Sequence, residues 1–152
     1  MYNYDKNVND LPAMIKSLVD GEQDTLANLC NVCALIMDVV PDLNWAGFYR
    51  NVSGQLVLGP FQGKPACIRI PFGKGVCGTA AARDEYIVVT DVKEFSGHIA
   101  CDSASRSEMV VPLHNKDGSL FGVLDIDSPL IGRFDDIKDI MLSAAKEIES
   151  FL

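Results

Sequence analysis

The sequence predicts an α+β domain in which helices from both ends of the chain pack on one face of a largely antiparallel sheet. Apolar residues recur with helical spacing near the start and the end of the chain, whereas strand-like segments fill the middle. Two of those segments are joined by the turn sequence Asn115-Lys116-Asp117-Gly118, which is typical of an antiparallel hairpin. The 152 residues suffice for one domain and are too few for two, so we expect residues 1–152 to form a single domain.

Two helices are predicted at the start of the chain and one at its end. The first follows Asn9 or Asp10 as a cap, has Pro12 in its first turn and ends near Gly21. The second spans residues 22–40, and its predicted apolar face consists of Leu26, Leu29, Cys30, Cys33, Ile36, Met37 and Val40. The last begins near residue 135, with one side formed by Ile137, Ile140, Met141, Ala144, Ile148 and Phe151.

Four strands are predicted before the hairpin, at residues 44–51, 55–61, 67–72 and 86–90. A glycine-rich turn after the third strand leads into a short helix that ends near Ala82. The polar segment 91–107 is long for a loop in a compact domain, and loops of that length are usually functional.

The charge and the cysteine count exclude several classes of protein. A formal net charge of −8 argues against nucleic acid and against an anionic membrane surface as partners, because both require a basic face. No apolar run is long enough for a membrane helix, and no apolar segment follows the first residues as in a signal peptide. Five cysteines, an odd number, favour a reduced cytoplasmic protein over a disulfide framework. We expect neither a metal nor a cofactor.

Three cysteines, Cys67, Cys77 and Cys101, lie in the glycine-, proline- and serine-rich middle of the chain. Thiols on loops are free to react, bind metal or pair with each other, whereas core cysteines occupy apolar stripes. Cys30 and Cys33 form a C-x-x-C pair within an apolar helix face and lack a second pair to complete a zinc site, so we interpret them as core residues.

Two carboxylates, Asp125 and Asp127, share one face of the last strand because they are two positions apart. Alternation predicts that Leu120, Gly122, Leu124 and Ile126 face one way and that Phe121, Val123, Asp125 and Asp127 face the other. Neighbouring carboxylates resist full ionisation, so one of them can keep a proton and act as an acid while the other binds a cation. Glu108 is positioned to add a third acid. A solvated strand end and an isolated surface charge are the simpler interpretations.

The segment Gly73-Lys74-Gly75-Val76-Cys77-Gly78 matches the G-x-G-x-x-G pattern of dinucleotide-binding folds. The helix after it is too short for a parallel crossover, and too little chain follows for a doubly wound sheet, so we reject that interpretation. The amides of this turn remain suited to a small anion such as a carboxylate, although a plain tight turn explains the pattern equally well.

Two further sets of residues have two interpretations each. Trp45, Gly47 and Tyr49 share a strand face, and the aromatic pair forms either a wall for a small apolar group or part of the core. His98 precedes Cys101 by three residues and allows a Cys–His nucleophile for hydrolysis, although no orienting residue is evident nearby.

Five segments together resemble the free methionine-R-sulfoxide reductases, which are stand-alone GAF-domain enzymes. They are Asn44-Trp45-Ala46-Gly47-Phe48-Tyr49, Cys67-Ile68-Arg69-Ile70-Pro71, Gly75-Val76-Cys77-Gly78, Ser107-Glu108-Met109-Val110-Val111-Pro112-Leu113 and Gly122-Val123-Leu124-Asp125-Ile126-Asp127-Ser128. The resemblance covers nearly the whole chain. It implies a single GAF domain over residues 1–152, with an antiparallel sheet and flanking helices, which often forms a homodimer.

The resemblance also implies roles for the cysteines. It makes Cys101 the nucleophile that attacks the sulfoxide, Cys67 the usual resolving thiol and Cys77 an auxiliary thiol. The expected product of attack is a sulfenic acid, which condenses with the resolving thiol to a disulfide that thioredoxin then reduces.

The resemblance further implies how free methionine sulfoxide is held. Asp125 is expected to protonate the sulfoxide, Glu108 and Asp127 to hold the substrate ammonium group, and Trp45 and Tyr49 to line the side-chain pocket. A GAF module that binds a small ligand or senses redox state without turnover is the alternative.

Overall fold

The computed structural model describes residues 6–99 and 102–152. Within them, the α-helices are α1 (Leu11–Val19), α2 (Thr25–Val39), α3 (Gly75–Arg83) and α4 (Lys138–Glu149). The strands are β1 (Trp45–Val52), β2 (Gln55–Gly63), β3 (Arg69–Pro71), β4 (Ile87–Val89), β5 (Ser107–His114) and β6 (Leu120–Ser128). Short 3-10 turns occur at Val8–Asp10 and Val92–Glu94.

All the strand pairs in this part of the chain are antiparallel, and they form one six-stranded sheet in the order β3-β2-β1-β6-β5-β4. One face of the sheet packs against α1, α2 and α4, and the other packs against α3. The predicted α+β architecture, with helices from both ends of the chain on one face, is therefore confirmed. The antiparallel pairing of β4 with β5 also excludes the dinucleotide-binding fold, which needs parallel strands on both sides of its helix.

The prediction for α2 was wrong at two positions on its apolar face. The side chain of Asp24 accepts a hydrogen bond from the Ala27 amide at 2.8 Å, so the helix begins after this cap. Cys33 is buried and its thiol donates to the carbonyl of Pro60 in β2. Leu26 is 62% exposed and Cys30 is also exposed, because the buried stripe is rotated away from that edge of the helix. The stripe consists of Asn28, Leu29, Val32, Cys33, Leu35, Ile36 and Val39.

The predicted faces of β6 are wrong at the start of the strand and correct after a bulge in it. Leu113 pairs with Gly122 and His114 pairs with Leu120, so Phe121 is an extra residue in the ladder. Phe121 itself packs with the helix-covered core, and Leu120, which precedes it, packs on the α3 side of the sheet. Both positions are opposite to the prediction. From residue 122 to residue 127 the predicted alternation is confirmed: the aspartates lie on the face opposite Leu124 and Ile126, and that face is the one on which α3 packs.

The backbone at Gly122 makes this bulge possible. Its φ of 154° lies in a region that favours glycine, and an added Cβ would lie 1.9 Å from the carbonyl oxygen of Tyr49 in β1. Strands β1 and β6 therefore approach closely at this point, and the approach sets the register of the residues that follow in β6.

His114 joins the end of β5 to two helices. Its Nδ1 lies 2.8 Å from the Glu149 carboxylate of α4, and its Nε2 lies 2.7 Å from the carboxylate of Asp84, which follows α3. Burial lowers the pKa of His114, but the hydrogen bonds to Glu149 and Asp84 outweigh it and raise the pKa above its usual value. The protonated imidazole therefore clamps both helices to the sheet.

Candidate active site

The strand register places an acid and an aromatic residue side by side on the α3 face of the sheet. Asp127 of β6 pairs with Trp45 on one side and with Glu108 of β5 on the other. Asp125, two positions along, shares the face and pairs with Gly47 and Val110. Directly paired residues have Cβ atoms about 5 Å apart, so three carboxylates occupy one small area. The sequence predicted this meeting of Glu108 with the two aspartates only as a possibility.

Helix α3 adds a thiol to this group of acids. Gly78 permits the close packing, because a Cβ there would lie 2.3 Å from the carbonyl oxygen of Pro71. The Sγ of Cys77 consequently lies 3.9 Å from Oε1 of Glu108. One donor atom from each of Cys77, Glu108 and Asp125 lies within 4.8 Å of the other two, and all three residues are buried. We call these three residues the thiol–acid cluster.

Burial dominates the electrostatics of the thiol–acid cluster. It raises the pKa of Asp125 well above the usual range, and the charge of Glu108 raises it further. Burial likewise raises the pKa of Glu108 to about 7, although the hydrogen bond from His98 opposes the rise. Burial and the charges of Asp125 and Glu108 raise the pKa of Cys77 well above its usual value. Cys77 therefore remains a thiol at neutral pH, and Asp125 keeps its proton to a higher pH than an exposed aspartic acid does.

The Oδ1 atom of Asp125 is buried without a hydrogen-bond partner among the described residues. Only 7% of this residue is exposed, and it lines the pocket described below. A buried carboxyl oxygen without a partner carries a desolvation cost of about 1–3 kcal/mol. A ligand group that enters the pocket and contacts this oxygen removes that cost, which makes Asp125 the focus of the site.

The third acid, Asp127, sits nearer the mouth of the pocket and is only partly buried. Burial raises its pKa well above the usual range, with further contributions from the charges of Asp125 and Asp102. Three carboxyl groups that resist ionisation together form an environment that favours an incoming cation.

An aromatic wall lies beside the acids on the same face of the sheet. The ring of Trp45 stacks on Tyr49, with centroids 6.0 Å apart, and on Phe61, with centroids 5.3 Å apart. Gly47 leaves the space for this stack, because a Cβ there would lie 2.6 Å from the indole ring. The indole N–H donates to the carbonyl of Lys64 at 3.1 Å, which fixes the ring plane. Both interpretations of this pair were therefore partly right, since the rings are buried and also line the pocket.

One pocket on the α3 face of the sheet adjoins both the acids and the aromatic wall, and its enclosed free volume is small, about 20 Å³. Trp45, Tyr49, Cys77, Glu108, Asp125 and Asp127 all line it, so the structure brings together six of the eight predicted site residues.

Cys67 and Cys101 are the two remaining predicted site residues. The hydroxyl of Tyr49 donates to the backbone carbonyl of Cys67 at 2.9 Å, and the side chain of this half-buried cysteine packs on the α3 side of the sheet. Its neighbour Ala66 lines the pocket. Cys101 lies outside the described residues; Ile99 and Asp102, which precede and follow residues 100–101, both line the pocket.

Polar contacts hold the chain that follows residue 101 against the pocket. The Asn44 side chain donates to the carboxylate of Asp102 at 3.2 Å and to the hydroxyl of Ser105 at 3.0 Å. Lys64 lies 3.4 Å from the Asp102 carboxylate. On the other side of the segment, Nε2 of His98 lies 3.2 Å from Oε2 of Glu108. The contact of His98 with an acid gives it a role in holding Glu108, and its pairing with Cys101 as a hydrolase remains an untested prediction.

Comparisons with other proteins identify the family. The GAF domain family profile matches residues 16–146. The free methionine-R-sulfoxide reductase of Escherichia coli is 54% identical over 127 residues, which are 84% of this chain and 76% of that protein. The chain belongs to the free methionine-R-sulfoxide reductase family.

Two solved structures of the family match almost the whole chain. The Staphylococcus aureus protein, in complex with its substrate, is 44% identical, covers 100% of this chain and 99% of its own, and superposes with a TM-score of 0.89. The Neisseria meningitidis free methionine-R-sulfoxide reductase, also in complex with its substrate, is 43% identical, covers 99% of this chain and 92% of its own, and has a TM-score of 0.90.

Sequence reasoning missed several residues that shape this reductase-family pocket. Phe61 extends the aromatic stack, and Asn44 with Asp102 fixes the loop after residue 101. Strand alternation could have placed Phe61 opposite Gly47, but the contact of Asn44 with Asp102 joins distant parts of the chain and leaves no local signal. Among the described helices, none has both the length and the apolar composition to cross a membrane.

Proposed function

We propose that this protein reduces free L-methionine-R-sulfoxide to L-methionine, with electrons from its own cysteine thiols. Membership of the reductase family supports the reaction, and the observation that carries it is the buried Asp125, whose pKa is raised, in a pocket walled by Trp45 and Tyr49. A sulfoxide needs a proton on its oxygen, an apolar surface for its methyl group and a thiol nearby. The pocket combines the first two with Cys77, and Ile99 and Asp102 line it.

The reaction converts one sulfoxide and two thiols to a sulfide, a disulfide and water, so the two protons that the oxygen gains equal the two that the thiols lose. In the proposed first step, the sulfur of Cys101 attacks the sulfoxide sulfur and the oxygen takes a proton. The bond from that oxygen to the substrate sulfur and the new S–S bond then break as the oxygen bonds to the sulfur of Cys101, so methionine leaves and Cys101 becomes a sulfenic acid. In the second step the thiolate of Cys67 attacks that sulfenic acid, an S–S bond forms and the oxygen leaves as water. A dithiol protein then exchanges with the disulfide and restores both thiols.

Asp125 is the acid in this proposal because it is buried, its pKa is raised and it lines the pocket beside Cys77. The backbone of Asp125 pairs with Gly47 in β1 and with Val110 in β5, and this pairing on both sides fixes where its carboxyl group lies. General acids of this kind contribute about 10²–10⁴-fold to a rate. The neighbouring Glu108, with a pKa of about 7, can return the proton to Asp125 after each turnover.

Glu108 and Asp127 hold the ammonium group of the substrate in this proposal. They are paired across β5 and β6, so a cation placed between them contacts both carboxylates. A bound ammonium favours the ionised form of each acid and so offsets the cost of burying them. The substrate carboxylate would then reach the backbone amides at the start of α3, where Lys74 and Gly75 line the pocket.

The environment of Cys77 supports an auxiliary role rather than a nucleophilic one. Thiolates, not thiols, attack sulfur, and the burial and acidic neighbours of Cys77 keep it protonated. Cys67 is less buried, and the hydroxyl of Tyr49 holds its backbone beside the aromatic wall. We therefore assign nucleophilic attack to Cys101 and resolution to Cys67.

We further propose a thioredoxin-dependent, cytoplasmic enzyme that works as a homodimer of one GAF domain per chain, residues 1–152. Recycling needs an external dithiol, and thioredoxin is the dithiol protein of reduced compartments. The family resemblance is the basis for the dimer.

Steady-state turnover on separated substrates tests the proposed function. With thioredoxin, its reductase and NADPH, we expect many equivalents of free methionine-R-sulfoxide to be reduced, with much slower reaction of the S epimer and of a peptide-bound sulfoxide. Consumption of at most one equivalent would indicate a redox-sensing or ligand-binding GAF module instead. Hydrolytic activity that is abolished by His98→Ala would indicate the hydrolase.

Mass spectrometry after one turnover without reductant tests the thiol assignment. We expect a disulfide between Cys101 and Cys67, absent in Cys101→Ser and replaced by a sulfenic acid or a bond to Cys77 in Cys67→Ser. Full activity of Cys101→Ser would overturn the mechanism. The exposed Cys30 provides the matched control, because Cys30→Ser removes a thiol far from the pocket in sequence and should retain activity.

A further inference from the structure

We propose that the thiol–acid cluster of Cys77, Glu108 and Asp125 is also a site for a thiophilic divalent metal ion, with Zn²⁺ as the natural occupant, and that the metal excludes the amino-acid substrate. The cluster offers one sulfur and two carboxylate oxygens within 4.8 Å of one another. The proposed reaction uses Asp125 and Glu108 but gives Cys77 no necessary step, so the position of this buried thiol needs another explanation.

The geometry of the cluster fits a tetrahedral ion. Zn–S bonds of about 2.3 Å and Zn–O bonds of about 2.0–2.2 Å place the ligand atoms of such a site roughly 3.3–3.7 Å apart. The Sγ of Cys77 and Oε1 of Glu108 are already 3.9 Å apart. A shift of a few tenths of an ångström therefore brings both atoms to bonding positions, without movement of β5 or α3.

The unpartnered oxygen of Asp125 points to a missing ligand. Its Oδ1 is buried and has no hydrogen-bond partner in the described ranges, while the side chain lines the pocket beside Cys77 and Glu108. Buried carboxylates without partners are rare unless a cation or a polar ligand completes them. A metal bonded to this oxygen would satisfy it and would balance the charges of the thiolate and carboxylates that bind the ion.

The fourth position of a tetrahedral ion is left to water, because the ring of His98 lies outside the group of atoms within 4.8 Å of one another. The Nε2 of His98 lies 3.2 Å from the second carboxylate oxygen of Glu108, and His98 lines the same pocket. Sulfur together with carboxylate oxygen is a donor set of zinc rather than of magnesium or calcium, which prefer oxygen alone. Coordination releases the thiol proton of Cys77 and the carboxyl proton of Asp125 to solvent, and no oxidation is involved.

The metal and the substrate would compete because both use the same carboxylates. The ammonium of the amino acid is proposed to contact Glu108, which is also a metal ligand, and the metal would remove the proton that Asp125 donates. This competition rests on the proposed function, whereas metal binding itself does not. The expected consequence is reversible inhibition by free zinc that a chelator relieves.

Cobalt serves as the spectroscopic probe of this site. We expect reduced wild-type protein to bind one equivalent of Co²⁺ with thiolate-to-metal charge-transfer absorbance and the intense visible bands of a four-coordinate ion, both abolished by added Zn²⁺. Cys77→Ser should remove the charge-transfer band, and Asp125→Asn should weaken Co²⁺ affinity at least about tenfold. The matched control is Cys30→Ser, which removes an exposed thiol rather than the buried one and should retain the full Co²⁺ spectrum.

A charge-transfer band that persists in Cys77→Ser, that disappears in Cys30→Ser, or that is absent from wild-type protein would overturn the metal site. If Cys77→Ser does not give native circular dichroism, unchanged Co²⁺ affinity in folded Asp125→Asn would overturn it equally.

Addition of free L-methionine, the proposed product, separates the two proposals. We expect saturating L-methionine to raise the apparent Kd for Co²⁺ by at least tenfold, because it occupies the same carboxylates. Co²⁺ that binds as described but is unaffected by L-methionine would leave the metal site intact and overturn the placement of the ammonium group in the proposed function.

Discussion

Replacing Glu108 with glutamine should make the protein more stable at alkaline pH, because the wild-type carboxylate is buried beside another acid. Burial raises the pKa of Glu108 from 4.5 to about 7. Each pKa unit corresponds to about 1.4 kcal/mol, so ionising this side chain in the folded protein costs about 3 kcal/mol relative to the unfolded chain. Glutamine has the same shape and does not ionise.

The sign of the pH dependence follows from the raised pKa. Below pH 4.5 the carboxyl group is neutral in both states and the cost is absent; the free energy of unfolding then falls as pH rises, until the folded group ionises near pH 7. Between pH 5 and pH 8, wild-type protein should therefore lose about 2–3 kcal/mol more than Glu108→Gln. Loss of the Glu108 charge also eases ionisation of Asp125, which acts in the same direction.

Urea unfolding at pH 5 and pH 8, with a reductant present, measures this difference. Glu85→Gln is the matched control, since Glu85 is exposed and its loss should leave the wild-type pH dependence unchanged. If Glu108→Gln and wild type lose the same stability between the two pH values, Glu108 is not a buried acid of the kind described and the electrostatic account of the pocket is refuted.

Two further predictions concern the framework. Gly122→Ala should reduce the free energy of unfolding by about 3 kcal/mol or more, because its Cβ would lie 1.9 Å from the Tyr49 carbonyl oxygen at a positive φ. Gly118→Ala is the control: Gly118 has open space around it, so this change should reduce the free energy of unfolding much less in the same urea titration. His114→Asn should destabilise the protein more at pH 6 than at pH 9 in thermal unfolding, because a histidine with a raised pKa stabilises the fold only while it is protonated. Equal losses of thermal stability at both pH values would contradict the role of protonated His114 in joining the two helices to the sheet.

The sequence predicted the layout of the fold because its main signals are local. Helical spacing, the turn at residues 115–118 and strand alternation each depend on a few neighbouring residues, and they placed Asp125 and Asp127 on the correct face. The errors arose where the chain departs from a regular period. Phe121 is the extra residue of a bulge that exchanged the faces of the residues before it, and rotation of α2 left Cys30 exposed.

The site was predictable as a set of residue types, whereas its chemistry depends on distances that no local pattern encodes. Trp45, Asp127 and Glu108 lie side by side only because β1, β6 and β5 pair with one another. The contact of Cys77 with Glu108 requires the close approach of α3 at Gly78. The raised pKa values follow from that burial. For the same reason, the contact of His98 with Glu108 could not be predicted from the sequence.

The rate of a single turnover in Asp125→Asn tests most directly whether a buried acid drives this chemistry. Reduced enzyme is mixed with saturating free methionine-R-sulfoxide without thioredoxin, and methionine is quantified by rapid quench. Asp127→Asn is the comparison, since loss of an ammonium contact should chiefly raise the substrate concentration needed for saturation. We expect Asp125→Asn to form methionine at least about 100-fold more slowly than wild type at saturation. A rate within about threefold of wild type, in a variant with native circular dichroism, would contradict the assignment of Asp125 as the proton donor.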